Sequence, residues 1–237
     1  MYHSIIFGDK NTWDDWFLFP SSRPVFNPPE PKTTYVDIPG ADSHLDLSEV
    51  LTGEVVYNAR EGSFEFIVDN DHKDWCVAYS DIMDYIHGKS MRAILEDDPS
   101  YFYEGRFSVN NWKSDKHNSK ITIDYVVHPY KFERFSSLED WEWDPFNFET
   151  GVIREYKDLR VDGSLTLTIP GTRKTVTPYF IVDSDVGSGM KVEFDGVTYD
   201  IPNGKSKVPS IVIKDGVYTL TFIGNGVVSV DYRGGRL

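Results

Sequence analysis

Apolar residues recur at every second position in several stretches of the chain, the period of a strand with one buried face. In residues 63–68 that face is Phe64, Phe66 and Val68; in 121–127 it is Ile121, Ile123, Tyr125 and Val127, alternating with Thr122, Asp124 and Val126. Residues 91–96 and 101–107 read as two further strands, joined by the turn-forming run Asp97-Asp98-Pro99-Ser100. Arg60-Glu61-Gly62 reads as a bend or bulge ahead of the first of these strands. Between 68 and 91 the period changes to three and four. Trp75, Ala78, Tyr79, Ile82 and Ile86 form an apolar stripe that predicts one helix over about 71–88. Asp71 can cap its start, with Asp74 three residues on, and Gly88 can stop it in the left-handed conformation. Cys76 and Met83 fall beside the stripe.

Beyond residue 150 the pattern is strands and tight turns alone. Leu165, Leu167 and Ile169 alternate with threonines. Asp195-Gly196 separates residues 191–194 from 197–201, Asn225-Gly226 separates 218–222 from 228–232, and Asp215-Gly216 joins 211–213 to a strand starting at Val217. Such dipeptides suit type I′ hairpin turns, whose two central residues need positive φ. Short strands at this spacing predict a β-sandwich. No internal repeat is present.

Two segments fit neither period. Residues 20–40 hold six prolines (Pro20, Pro24, Pro28, Pro29, Pro31 and Pro39). Proline lacks the donor that a sheet ladder needs, so this stretch is expected to be edge segments or a surface arm. Residues 129–151 carry Phe132, Phe135, Trp141, Trp143, Phe146 and Phe148. A free linker would not be so aromatic, so this junction is expected to be packed down.

Length sets the scale: 237 residues make one large or two small domains. The formal charge is −14, and it is unevenly spread. Residues 1–150 hold 13 basic and 28 acidic residues, the remainder 11 and 10, and all six tryptophans lie in the first part. The composition divides the chain into two domains, residues 1–133 with the helix and 134–237 with the junction and the sandwich. The acidic excess argues against specific nucleic-acid binding, which needs clustered cations. The start of the chain shows no basic segment leading a long apolar run, and no stretch approaches the roughly 18 apolar residues of a membrane helix. The expectation is a protein made in the cytoplasm, with no membrane insertion.

Little points to chemistry. A phosphate-binding loop, a dinucleotide fingerprint and a GxSxG elbow are all absent from the sequence. The single cysteine, Cys76, precludes an intrachain disulfide and reads as a structural thiol beside the helix stripe. The six histidines (3, 44, 72, 87, 117 and 128) show no HxH or HExxH spacing, and His72 reads as part of a polar helix entry. Asp183-Ser184-Asp185-Val186-Gly187 starts like a calcium loop, but Gly187 falls where a ligand belongs and Phe194 where the bidentate glutamate belongs. Trp141-Glu142-Trp143-Asp144 joins acids to potential sugar-stacking rings, and a packed junction with its acids facing water accounts for it as well. No catalytic, cofactor-binding or metal-binding residue is nominated.

A set of short motifs, in order, carries a resemblance. They are Ser4-Ile5-Ile6-Phe7-Gly8 with Asp14-Asp15-Trp16; Pro28-Pro29-Glu30-Pro31-Lys32; Val36-Asp37-Ile38-Pro39-Gly40-Ala41-Asp42; Leu45-Asp46-Leu47-Ser48-Glu49; Arg60-Glu61-Gly62-Ser63-Phe64-Glu65-Phe66; and the ending Val228-Ser229-Val230-Asp231-Tyr232-Arg233-Gly234-Gly235-Arg236-Leu237. In these the chain resembles the distal tail proteins of long-tailed bacteriophages infecting Gram-positive bacteria. The resemblance spans nearly the whole chain and is densest before residue 70.

It implies a mainly β fold: an N-terminal β domain with one helix that builds a homohexameric ring, then a C-terminal galectin-like β-sandwich. It implies a structural virion protein, a hub at the tail tip of a phage or prophage, with no enzyme activity and no cofactor. Its partners would be other copies of itself, the tail tube protein, a tail-tip or tail-associated protein and a receptor-binding protein. Residues 151–237 contain neither histidine nor tryptophan, so the sugar-binding apparatus usual in galectins is missing from this sandwich. The alternative is a carbohydrate-binding adhesin module at the bacterial surface, whose cue would be an exposed aromatic platform on that domain.

Overall fold

The computed structural model describes residues 3–68, 75–114, 119–139, 156–187 and 189–237. Among the described residues the chain is mainly β with one helix, and it divides into two compact units, Met1–Lys131 with Leu237 and Phe132–Arg236.

The first unit contains β1 (Ile5–Phe7), β2 (Lys10–Asn11), β3 (Leu18–Pro20), β4 (Tyr35–Val36), β5 (Leu45–Asp46), β6 (Arg60–Val68), α1 (Trp75–Ile86), β7 (Lys89–Leu95), β8 (Tyr101–Ser114) and β9 (Ser119–Val127). Seven of the strands form one antiparallel sheet in the order β2-β1-β7-β8-β9-β6-β3, while β4 and β5 pair only with each other. The alternating residues of β6 and β9 do what their period requires. Phe64 faces Ile123 and Phe66 faces Ile121 across the two strands, and Val68, Tyr125 and Val127 lie buried with them. Full burial of each such side chain is worth about 1.5–3 kcal/mol. The helix closes this face with Ala78, Ile82 and Ile86, all buried, and Trp75, Tyr79 and Met83 pack at the margin. Gly88, at φ 71°, ends the helix as expected, and the His87 amide donates back to the Met83 carbonyl. The expected cap, Asp71, lies outside the described residues.

Two expectations for this unit are corrected. Arg60-Glu61-Gly62 is no bend or bulge: it is the regular start of β6, paired with Val127, Val126 and Tyr125. The strand expected over 101–107 runs on to Ser114, because its polar second half pairs with β9 as fully as the first. A shift of register between Val109 and Asn111 places Trp112 opposite Ile121, on the helix side of the sheet.

Strand β10 (Lys131–Glu133) marks the passage to the second unit. That unit holds β11 (Leu159–Pro170), β12 (Tyr179–Ser184), β13 (Met190–Phe194), β14 (Val197–Ile201), β15 (Gly204–Lys207), β16 (Val217–Asp231) and β17 (Gly235–Arg236). Its strands run β14-β13-β16-β12-β15, with β11 beside β16 along their common length. The Asp195-Gly196 turn forms as expected: both residues have positive φ, 49° and 74°, and Phe194 faces Val197. Asn225-Gly226 does not form a turn. Strand β16 runs straight through it, because β11 supplies an unbroken antiparallel partner from Val217 to Val228. Asn225 Oδ1 accepts the Gly163 amide at 2.9 Å. Gly226 (φ 141°) lies so near β12 that a methyl group there would sit 2.3 Å from the Asp183 carbonyl oxygen. The glycine serves close approach rather than reversal. At this point β16 exchanges its second neighbour, β13 before Gly224 and β12 from Gly226 onward. Residues 211–213, expected as a strand, contribute one isolated bridge, Ile213 to Val176.

The second core is Val161, Ile169, Phe180, Val182, Val192, Leu220, Phe222, Val228 and Val230 with their neighbours. Residues 133–139 are tied into this unit. Buried Ser137 accepts the Tyr232 amide at 2.9 Å and donates to the Val230 carbonyl at 2.6 Å, and Glu133 Oε2 accepts the Gly234 amide at 3.0 Å.

Candidate functional site

The proline-rich segment leads into a two-stranded arm. Pro31 bridges to Tyr57, the Asn58 amide donates to the Glu30 carbonyl at 2.8 Å, and the Lys32 amide donates to the Val56 carbonyl at 2.7 Å. Further out β4 and β5 pair, and residues 48–53 make a tight loop. An isolated ribbon of this kind has no core of its own. Its apolar residues lie bare to solvent: Tyr35, Val36, Ile38, Leu45 and Val50 are exposed, and Leu51 is 96% exposed. Residues 30–58 also hold six acids and one lysine. An apolar surface rimmed by charge is the signature of a protein contact.

The root of the arm, by contrast, is fixed. Phe26 is buried among aromatic rings, stacked on Tyr103 at 3.8 Å and edge-on to Phe64 and Tyr125. Asn27 is held at three points. Its amide donates to Tyr125 Oη at 2.8 Å, its Nδ2 donates to the Glu61 carbonyl at 2.8 Å, and its carbonyl accepts from Arg60 Nη1 at 3.0 Å. Arg60, only 5% exposed, also donates through Nε to the Pro129 carbonyl at 2.8 Å and lies over the Tyr103 ring at 5.5 Å. Its Nη2 is buried with no hydrogen-bond partner. Burial pushes the Arg60 guanidinium below its usual pKa, against the pull of Tyr103 and Tyr125, while burial pushes both phenols up. On the approach to the root, Arg23 donates to Asp97 at 2.8 Å and His3 bonds the same carboxylate at 2.9 Å. Burial tends to raise the Asp97 pKa, but the bonds from Arg23 and His3 outweigh it and hold the carboxyl below its usual value.

Other surfaces carry less. Trp75, Tyr79 and Trp112 form an aromatic ledge on α1 and β8, with ring centroids 4.6–6.0 Å apart. A hollow of about 240 Å³ is lined by Lys10, Asp15, Trp16, Asp81 and Tyr85. There Lys10 pairs with Asp15 at 2.9 Å, and the Tyr85 hydroxyl bonds Asp9. Cys76 was expected to be a buried structural thiol; it is exposed, because the stripe turns Ala78 inward and leaves Cys76 on the outer side. In the segment weighed as a calcium loop, Asp185 is taken up by Arg160, at 2.6 Å from Nη2. Among the described residues no group of three or more potential ligands could hold a metal. Neither His72 nor the run Trp141-Glu142-Trp143-Asp144 belongs to the described residues.

In the second unit Phe222 and Tyr232 are buried, and Phe194, Tyr199 and Tyr218 pack against the core. One exposed aromatic escaped the sequence reading: Tyr179, flanked by Lys205 at 4.6 Å and Lys207 at 5.0 Å. The arm's root was missed as well. Gly62 before the strand was its one sequence signal, since a glycine at the head of a strand marks a bulge or a close approach.

The described residues thus form two β-rich units in sequence, the first with one helix and an exposed apolar arm. No protein-family model and no curated protein matches the chain. Among solved structures it matches SPP1 Dit (gp 19.1), described as a paradigm of the hub adsorption apparatus in phages infecting Gram-positive bacteria, over 100% of both chains with a TM-score of 0.61 and 12% identity. The chain therefore shares that protein's fold from end to end, the fold that the resemblance to distal tail proteins implied.

Proposed function

We propose that this protein is a structural hub of a phage tail tip, made by a phage or a prophage. In this reading six copies close into a ring through the first unit, one face meeting the tail tube protein and the other the tail-tip and receptor-binding proteins. The observation that carries the reading is the end-to-end likeness in fold to SPP1 Dit. The apolar arm supports it, because a closed ring needs heterologous contacts and the arm is a surface without a core of its own. The second unit, a galectin-like sandwich, acts as a scaffold or docking surface, and the protein performs no catalysis. A share of the acidic excess of residues 1–150 faces the ring channel, where carboxylates repel passing DNA instead of holding it. Negative-stain micrographs of the purified chain test the hub reading: six-fold rings are expected, and isolated single copies even with the cognate tail-tip protein would overturn it. The adhesin alternative has one observation behind it, Tyr179 between two lysines. Glycan-array binding by residues 132–237 would favour that alternative.

A further inference from the structure

The arm would be useless for a ring of fixed geometry if it swung freely on its root. A bare ribbon entered through Pro28 and Pro29 has few contacts of its own to set its direction. What sets it is the first three residues of β6. We propose that Arg60, Glu61 and Gly62 form a clamp that fixes the direction in which the arm leaves the sheet, with Arg60 as its positioning residue. The clamp rests on the hub reading for its purpose, since it would aim the arm at the next copy.

Three observations carry it. First, the Arg60 guanidinium is buried without a carboxylate among its partners; its two hydrogen bonds go to backbone carbonyls, of Asn27 and Pro129. A buried cation costs stability unless it is well bonded. A core position would be filled more cheaply by an apolar residue, so the cost points to a task that an apolar residue could not do. Second, the same strand grips Asn27 again through the Glu61 carbonyl, while Tyr125 from β9 takes the Asn27 amide. Every polar group of the arm's last rooted residue that could turn is thereby tied to the sheet except Asn27 Oδ1. Third, the grip needs glycine at 62. A methyl group there would lie 2.4 Å from Tyr125 Oη and 2.6 Å from Asn27 Nδ2, at the junction of the two bonds. Gly62 has no positive φ to explain it. Room for the clamp does.

The test reads direction rather than stability. Nitroxide labels are placed at Leu51→Cys, in the outer arm, and Val126→Cys, on the exposed side of the sheet, in a Cys76→Ser background, diluted with unlabelled chain. Electron–electron dipolar spectroscopy then gives the label–label distance distribution. The clamp predicts one narrow distribution in the otherwise unchanged chain. Arg60→Met, which keeps the buried stem and loses both bonds, should broaden it about twofold or more, as expected when anchoring hydrogen bonds are removed from a segment with little packing. Arg60→Lys can satisfy one carbonyl and not both, so it should lie between. If Arg60→Met does not fold, Gly62→Ala and Tyr125→Phe carry the same test with smaller perturbations. A distribution that stays narrow in these variants while the melting temperature falls would make Arg60 a core residue only and overturn the proposal, as would a distribution already broad before any clamp residue is changed. The readout does not depend on ring formation. A positive result in a chain that never forms rings would sink the hub reading and keep the clamp.

Discussion

The two units solve the same problem, burying an antiparallel sheet, with opposite outcomes at the surface. The second unit closes on itself. Its long strands β11 and β16 pair over their common length, its remaining strands add beside them, and its aromatic residues mostly turn inward. The first unit has a buried core too, yet it extends an acidic ribbon whose apolar residues stay mostly exposed, Tyr35 meeting the ring of His44 at 4.3 Å. The difference teaches where apolar surface is left over: in a segment too thin to bury its own apolar residues, which the proposed ring would cover.

The sharpest way to break this comparison is to damage one core and watch the other. Phe66→Ala empties a fully buried site in the first sheet and should cost that unit about 3–5 kcal/mol. Calorimetry should show the first unit's transition falling while the second unit's holds. One merged transition would mean a shared core. Gly226→Ala strikes the second unit in the same way. The residue would keep a φ that suits glycine and meet the Asp183 carbonyl, costing about 1–3 kcal/mol from backbone strain alone. The same calorimetry should then move only the second transition. A fragment covering residues 132–237 should show that transition by itself; a fragment starting at 150 should melt lower, because it lacks Ser137 and Glu133.

These sites also mark how much was legible in the sequence. Phe66 and Ile121 were legible, since period-two alternation is enforced by the pleat whatever the rest of the fold does. The helix stripe was legible for the same reason, and with it the residues that bury. Gly226 misled, because Asn-Gly fits both a reversal and a strand pressed against a neighbour, and only the presence of β11 decides between them. Arg60 was opaque. A charged residue beside a glycine reads as surface, and nothing local shows that two carbonyls, one 33 residues before it and one 69 after, will converge on it. The arm was half legible: its prolines excluded a central strand, but the emptiness around Leu51 is a property of the folded unit.

Smaller effects sharpen the picture of the arm. Leu51→Ser should leave the melting temperatures unchanged, within about 0.5 kcal/mol, because the side chain buries almost nothing. The same change should weaken self-association several-fold, read by light scattering across a concentration series. Equal association by both proteins would remove the loop tip from the contact. The smallest effect is at Asp97, whose carboxyl sits below its unfolded pKa. Such a group contributes stability above the unfolded value of 3.8 and loses it as the pH falls through the lower folded value. Asp97→Asn should therefore melt below the unchanged protein at neutral pH, and the two should converge as acid is added below pH 3.8. A gap that persists unchanged in acid would mean that shape, not charge, holds His3 and Arg23.

The central claim is that the first unit assembles the protein and the second does not. Sedimentation velocity of three proteins tests it directly: the full chain, the chain with residues 33–55 replaced by a short Gly-Ser turn, and residues 132–237. The account predicts a sixfold species for the full chain, and single copies for the trimmed chain and the fragment. Full-chain sedimentation as a single copy at every concentration, with the cognate tail-tip protein added as well, or a trimmed chain that assembles as well as the full one, would contradict it.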